Sequence, residues 1–120
     1  MATWNLDGVR HLVLVCMGSS CRKHGADGVL AAFKAEVKAA GLREEVHLAR
    51  ARCLGRCDDA CNVLHATDGC WYGEVTARQA RTIVHEHLQG GAPVERLVTY
   101  RTQAHRLRAT GRGAKGRAKR

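Results

Sequence analysis

Five absences narrow the chain before any motif is read. The longest apolar run near the start, Leu12–Met17 (LVLVCM), is far short of the ~20 residues that span a bilayer. No basic segment and small-residue cleavage site mark a secretory signal, so a cytoplasmic location is expected. From Arg101 to Arg120 there is no Asp or Glu, while eight Lys or Arg stand there. Residues 1–100 then hold twelve basic and eleven acidic side chains, a net of +1, so eight of the nine net positive charges belong to the tail. No aromatic residue follows Tyr100, which argues against a tail that stacks on bases. There is also no internal repeat.

What the chain does have is cysteine, six in 120 residues. In a secreted protein these make a disulfide framework. In a reducing cytosol they are metal ligands, catalytic thiols or small buried hydrophobes. Their spacing is informative: Cys16 and Cys21 form C-x4-C, Cys53 and Cys57 form C-x3-C, and Cys61 follows at a further interval of four.

The pattern around them predicts a mixed α/β domain. Val9–Val15 is β-branched and apolar without helical period, as in a strand buried on both faces. Asp27–Ala40 places Val29, Leu30, Phe33 and Val37 on one helical face, with Gly41 as the stop. EVHLARA reads as a second strand. NVLHA and CWYGEV, separated by Asp68-Gly69, read as an antiparallel hairpin. Thr76 and Gln79 form a capping box for a helix with Ala80, Ile83, Val84, His87 and Leu88 on its inner face. The expected order is β-α-β, hairpin, α, on a sheet of about four strands. Residues 1–100 form the domain, and 101–120 a basic, disordered tail.

A βαβ crossover brings two parallel strands to the same end of a sheet. Cys16 and Cys21 follow the first strand and Cys53 and Cys57 the second, so the topology gathers both thiol pairs on neighbouring loops. Packing alone does not predict that convergence. Gly18 and Gly55 let backbone amides turn toward sulfur, and Arg22, Lys23, Arg52 and Arg56 offset thiolate charge. Cys61 and Cys70, in or beside strands and without close partners, read as packing residues. His24 reads as a solvated loop histidine. His85 and His87, two apart on a helix, face different ways and make no joint site. Four thiolates suit zinc or an iron–sulfur cluster, and spacing alone leaves both open.

VLVCMGSSCRKHGADGVLAAF, CLGRC and GCWYGEVTARQARTIVHEHLQGGAPVERL together resemble the thioredoxin-like [2Fe–2S] ferredoxins, over residues 9–98. The resemblance implies a thioredoxin-like fold with one [2Fe–2S] cluster, Cys16 and Cys21 holding one iron and Cys53 and Cys57 the other. It further implies a homodimeric one-electron carrier serving redox partner proteins. Ala60-Cys61 stands where the family usually has Gly-Pro, which leaves Cys61 as an alternative to Cys57. The thioredoxin likeness also raises disulfide reduction, but no C-x-x-C occurs in the chain. No acid, base or nucleophile constellation is found, so no catalytic residue is assigned and the chain is read as a non-enzyme. Two rival readings share these residues. One is a zinc-stabilised module whose basic tail holds nucleic acid, and the other an iron–sulfur sensor or delivery protein. The same tail also suits an acidic redox partner.

Overall fold

A computed structural model describes residues 3–119. The domain and tail ranges expected from the sequence include residues 1, 2 and 120, which lie outside the described residues. A six-stranded mixed sheet forms the frame: β1 (His11–Cys16), β2 (Val46–Ala51), β3 (Val63–His65), β4 (Cys70–Tyr72), β5 (Val98–Gln103) and β6 (Arg106–Ala109), in spatial order β2-β1-β3-β4-β5-β6. The first pair is parallel, with His11 opposite Val46 and Cys16 opposite Ala51. All other neighbours are antiparallel.

Three helices complete it: α1 (Ser19–Lys23), α2 (Ala26–Ala39) and α3 (Ala77–Ile83), the last continuing as a wider π-turn over Val84–Gln89. α2 runs one residue ahead of its expected span, and α1 was not expected at all. The capping box of α3 forms as read, the Gln79 N–H donating to Thr76 Oγ1 and the Thr76 N–H to Gln79 Oε1. α2 and α3 pack together over one sheet face. Phe33, Val29, Ile83 and Val84 bury there against Val13, Val15 and Val63. Burying such side chains contributes about 1.5–3 kcal/mol each.

Period-2 alternation in β1 shows in its burial. His11, Val13 and Val15 are buried, whereas Leu12 and Leu14 are only half-buried. β1 is therefore covered fully on one face, not on both as its unbroken apolar run suggested.

The larger departure lies after Val98. Two more strands extend the expected four, and Arg101–Ala109 belongs to the β5–β6 hairpin instead of a structureless tail. The β3–β4 turn helps dock it. Gly69 has φ 65°, and a Cβ there would stand 2.2 Å from Thr102 Oγ1. The bare glycine lets the Thr102 N–H reach the Gly69 carbonyl at 2.9 Å.

Candidate metal centre

β1 ends at Cys16 and β2 at Ala51, opposite each other, so both cysteine loops leave the same end of the sheet. The loops meet at Gly18. A Cβ there would lie 2.6 Å from the Arg52 carbonyl oxygen and 3.4 Å from Cys53 Cβ. Only glycine allows this approach, and Gly18 also begins α1 in extended conformation. α1 then turns Cys21 inward: Cys16 and Cys21 are buried, Cys53 and Cys57 exposed.

The structure brings the four expected ligand cysteines to one region. Cys53 Sγ and Cys57 Sγ are 3.9 Å apart, and Cys16 Sγ lies 3.9 Å from the Arg52 carbonyl. The Gly55 N–H donates to Cys53 Sγ at 3.4 Å, and Asn62 Nδ2 lies 3.9 Å from Cys21 Sγ. Gly55 supports this turn with φ 82°. Asn62 was missed in the sequence. Its signal was an amide residue at the mouth of β3, which leads back to the same sheet end.

As free thiols, Cys21 and Cys57 are both raised above the ordinary cysteine value. Burial pushes Cys21 up to about 11, with Cys16 beside it adding to the effect. The Cys53 hydrogen bond raises Cys57, which the Ser20 hydroxyl partly opposes. Burial leads the first shift and a neighbouring sulfur the second, and a metal or cluster reverses that penalty by taking the thiolate form. The donor set is four soft sulfurs with hydrogen-bond donors around them and no carboxylate among them. These residues fit a [2Fe–2S] cluster.

Cys61 is engaged elsewhere. Its buried S–H donates to the carbonyls of Cys21 and His24 at 3.2 and 3.3 Å. It thereby ties β3 to the first cysteine loop. Cys70 is buried at the start of β4, and burial raises it to about 11. The exposed His24 turns its Nδ1 to the Ser20 carbonyl at 2.8 Å, inside its own loop. Of the flanking cations, Arg56 is the one whose contacts matter most. It pairs with the buried Asp59 and lies 4.9 Å from the Tyr100 ring centroid.

A second polar cluster occupies the opposite end of the sheet. His11 Nδ1 and His65 Nε2 are 2.8 Å apart, His87 Nε2 and Asp68 Oδ2 2.6 Å, and Tyr72 OH and His87 Nδ1 2.7 Å. Three donor atoms of His65, Asp68 and His87 lie within 4.8 Å of one another. The His65 and His87 rings stack, with centroids 4.1 Å apart and planes 21° apart, so their in-plane lone pairs do not converge on one ion. The Asp68 N–H moreover occupies His65 Nδ1 at 3.1 Å. His85, by contrast, is exposed and pairs with Glu36, so it shares no site with His87.

The family model of the thioredoxin-like [2Fe–2S] ferredoxins matches residues 5–88. The chain belongs to that family. A Priestia megaterium protein provisionally named a 2Fe-2S ferredoxin is 41% identical over 100 residues, which cover 83% of this chain and 78% of that one. A 2Fe-2S ferredoxin of Clostridium pasteurianum is 31% identical over 98 residues, covering 73% of this chain and 94% of the relative. A crystal structure of the Aquifex aeolicus thioredoxin-like [2Fe-2S] ferredoxin superposes with a TM-score of 0.69 at 31% identity, over 73% of this chain and 94% of that one. The fold of this ferredoxin is thus thioredoxin-like and its cofactor a [2Fe–2S] cluster. No helix among the described residues is long and apolar enough to cross a membrane.

Proposed function

We propose that this ferredoxin is a one-electron carrier between redox proteins of the cytoplasm, and that Cys16, Cys21, Cys53 and Cys57 hold its cluster. The observation that supports this reading is the contact of the two cysteine loops at Gly18, although 31 residues separate Cys21 from Cys53 in sequence. When bound, the cluster supplies a centre that gains and loses one electron without forming a bond to substrate.

The chain's own residues set how that centre meets a partner. Buried Cys16 and Cys21 anchor it against the core, while exposed Cys53 and Cys57 bring it to the surface. Gly55 and Asn62 offer hydrogen bonds to sulfur, which favour added negative charge and raise the potential. None of these roles requires an acid, a base or a nucleophile.

Homodimerisation belongs to the same proposal. Half-buried Leu12, Leu14 and Leu64, on the sheet face opposite the helices, offer a second copy an apolar surface. Light scattering on the eluted protein tests it against the monomer mass of 13.1 kDa.

Anaerobic purification tests the carrier reading. The protein should be red-brown, with about two irons and two sulfides per chain, and should be reduced by dithionite and reoxidised with its spectrum recovered. A colourless, zinc-loaded protein would contradict it, and so would a cluster lost to an apo acceptor on mixing.

A further inference from the structure

The C-terminal segment lies beyond the family match, which ends at Leu88, yet it folds back onto the second cysteine loop. Asp59, 1% exposed, accepts from the Ala114 N–H at 2.6 Å and pairs with Arg56, whose guanidinium also donates to the Ala114 carbonyl. Thr110 adds a hydrogen bond to the Val98 carbonyl. Two residues of the ligand loop thus hold the chain end across β5.

The result is a groove of about 580 Å³ beside Cys57. Leu54, Trp71 and Leu107 give it apolar walls, and Lys115, Arg117 and Lys119 line its rim. With Arg56 that makes four cations against one lining carboxylate, Asp58. Leu107, 51% exposed, adds apolar area to that wall beside Leu54 and Trp71.

We infer that this groove is the docking surface for an acidic face of the protein that exchanges electrons with the cluster. The inference rests on the carrier reading given above. A cluster on four thiolates carries net negative charge, which repels carboxylates at short range. The held chain end reverses that sign beside the exposed ligand pair, where a redox partner must come close. Cationic rims steer an anionic partner and speed its encounter, while an apolar centre supplies contact area. An acidic protein suits the groove better than a nucleic acid, because Arg56 covers the Tyr100 ring and leaves Trp71 as the one lining aromatic on which a base could stack.

The test compares wild type with the triple variant Lys115→Glu, Arg117→Glu, Lys119→Glu, three exposed positions outside the Asp59 clamp. Reduced holoprotein is mixed with hexacyanoferrate(III), an anion that takes one electron and becomes hexacyanoferrate(II). Labelled poly-L-glutamate and a labelled oligodeoxythymidine are followed in parallel by anisotropy. Wild type should react at a rate that falls with salt, the variant about tenfold more slowly. Poly-L-glutamate should bind wild type, slow its reaction, and fail to bind the variant. Equal rates and equal poly-L-glutamate binding in the two proteins, with the cluster spectrum intact, would overturn the groove assignment and leave the carrier reading standing. Oligodeoxythymidine binding without poly-L-glutamate binding would overturn it as well, in favour of nucleic acid. Wild type lacking a reducible chromophore would instead overturn the carrier reading and, with it, the electron-exchanging partner assigned to the groove.

Discussion

Cys16 stands at one end of β1 and His11 at the other, so a single strand joins two polar sites that meet their needs differently. At the histidine end every partner comes from within. His87 Nε2 donates to Asp68, the Val94 N–H donates to Tyr72, and the Tyr72 hydroxyl proton is left for His87 Nδ1. The Asp68 N–H fixes the His65 tautomer, whose Nε2–H then serves His11. At the sulfur end the thiols meet one another, a backbone N–H, a carbonyl and the Asn62 amide, all at 3.4 to 3.9 Å. A network closed on itself fills a core, whereas one left open to soft, crowded donors calls for a guest.

The comparison breaks most visibly by deleting a sulfur. Cys16→Ala, Cys21→Ala, Cys53→Ala and Cys57→Ala should each abolish or bleach the visible spectrum, while Cys61→Ala and Cys70→Ala keep it. Iron analysis of the six variants measures this. A Cys61→Ala protein without iron beside a Cys57→Ala protein with it would exchange their roles.

The same operation at the histidine end should spare the colour and cost stability. His87→Ala leaves a cavity and removes the partner of both Tyr72 and Asp68, a loss of about 3–5 kcal/mol by urea unfolding. Unchanged stability would mean that the network contributes nothing as a unit.

Acid should distinguish the ends next. Burial, with the His87 ring stacked beside it, pushes His65 down to about 4, and burial also lowers His11. Burial alone would raise the Asp68 carboxyl, but the His87 hydrogen bond and the neighbouring imidazoles bring it below its ordinary value. Between pH 6.5 and 4 the unfolded chain therefore binds a proton at residue 65 that the folded chain refuses. Stability is full above about 6.5 and falls as the pH drops toward 4, by on the order of 3 kcal/mol. The Asp68 contribution is lost only below that window. Urea midpoints from pH 7 to 4 should show this slope, and His65→Gln should flatten it.

The smallest effect belongs to neither end. Thr76→Ala removes a cap and should cost about 1 kcal/mol without altering colour or pH dependence. A loss of colour in this variant would show that the sulfur site depends on distant stability.

Much of the sulfur end was legible because local and topological rules agree there. The Thr76 and Gln79 box is written in four adjacent residues. The parallel pairing of β1 and β2 follows from the helix between them, and it delivers both cysteine loops to one place. Other features had no such signature. α1 is five residues long, too short to show a period. The β5–β6 turn uses Ala104 and His105 at φ 51° and 64°, where Asn-Gly would have announced a hairpin. All four β6 residues are exposed, and the alternation Arg106-Leu107-Arg108-Ala109 is too short and too basic to announce a strand. The Asp59 clamp and the His11, His65 and His87 cluster join residues far apart in the chain, and only the folded backbone brings them together.

The proposed centre is one held by thiols 16, 21, 53 and 57. Its most direct test is the spin count of the dithionite-reduced wild-type protein by electron paramagnetic resonance, normalised to iron. One unpaired electron for about every two irons is the result expected of a one-electron [2Fe–2S] carrier. Iron without a reducible paramagnetic signal, or zinc in its place, would contradict the account.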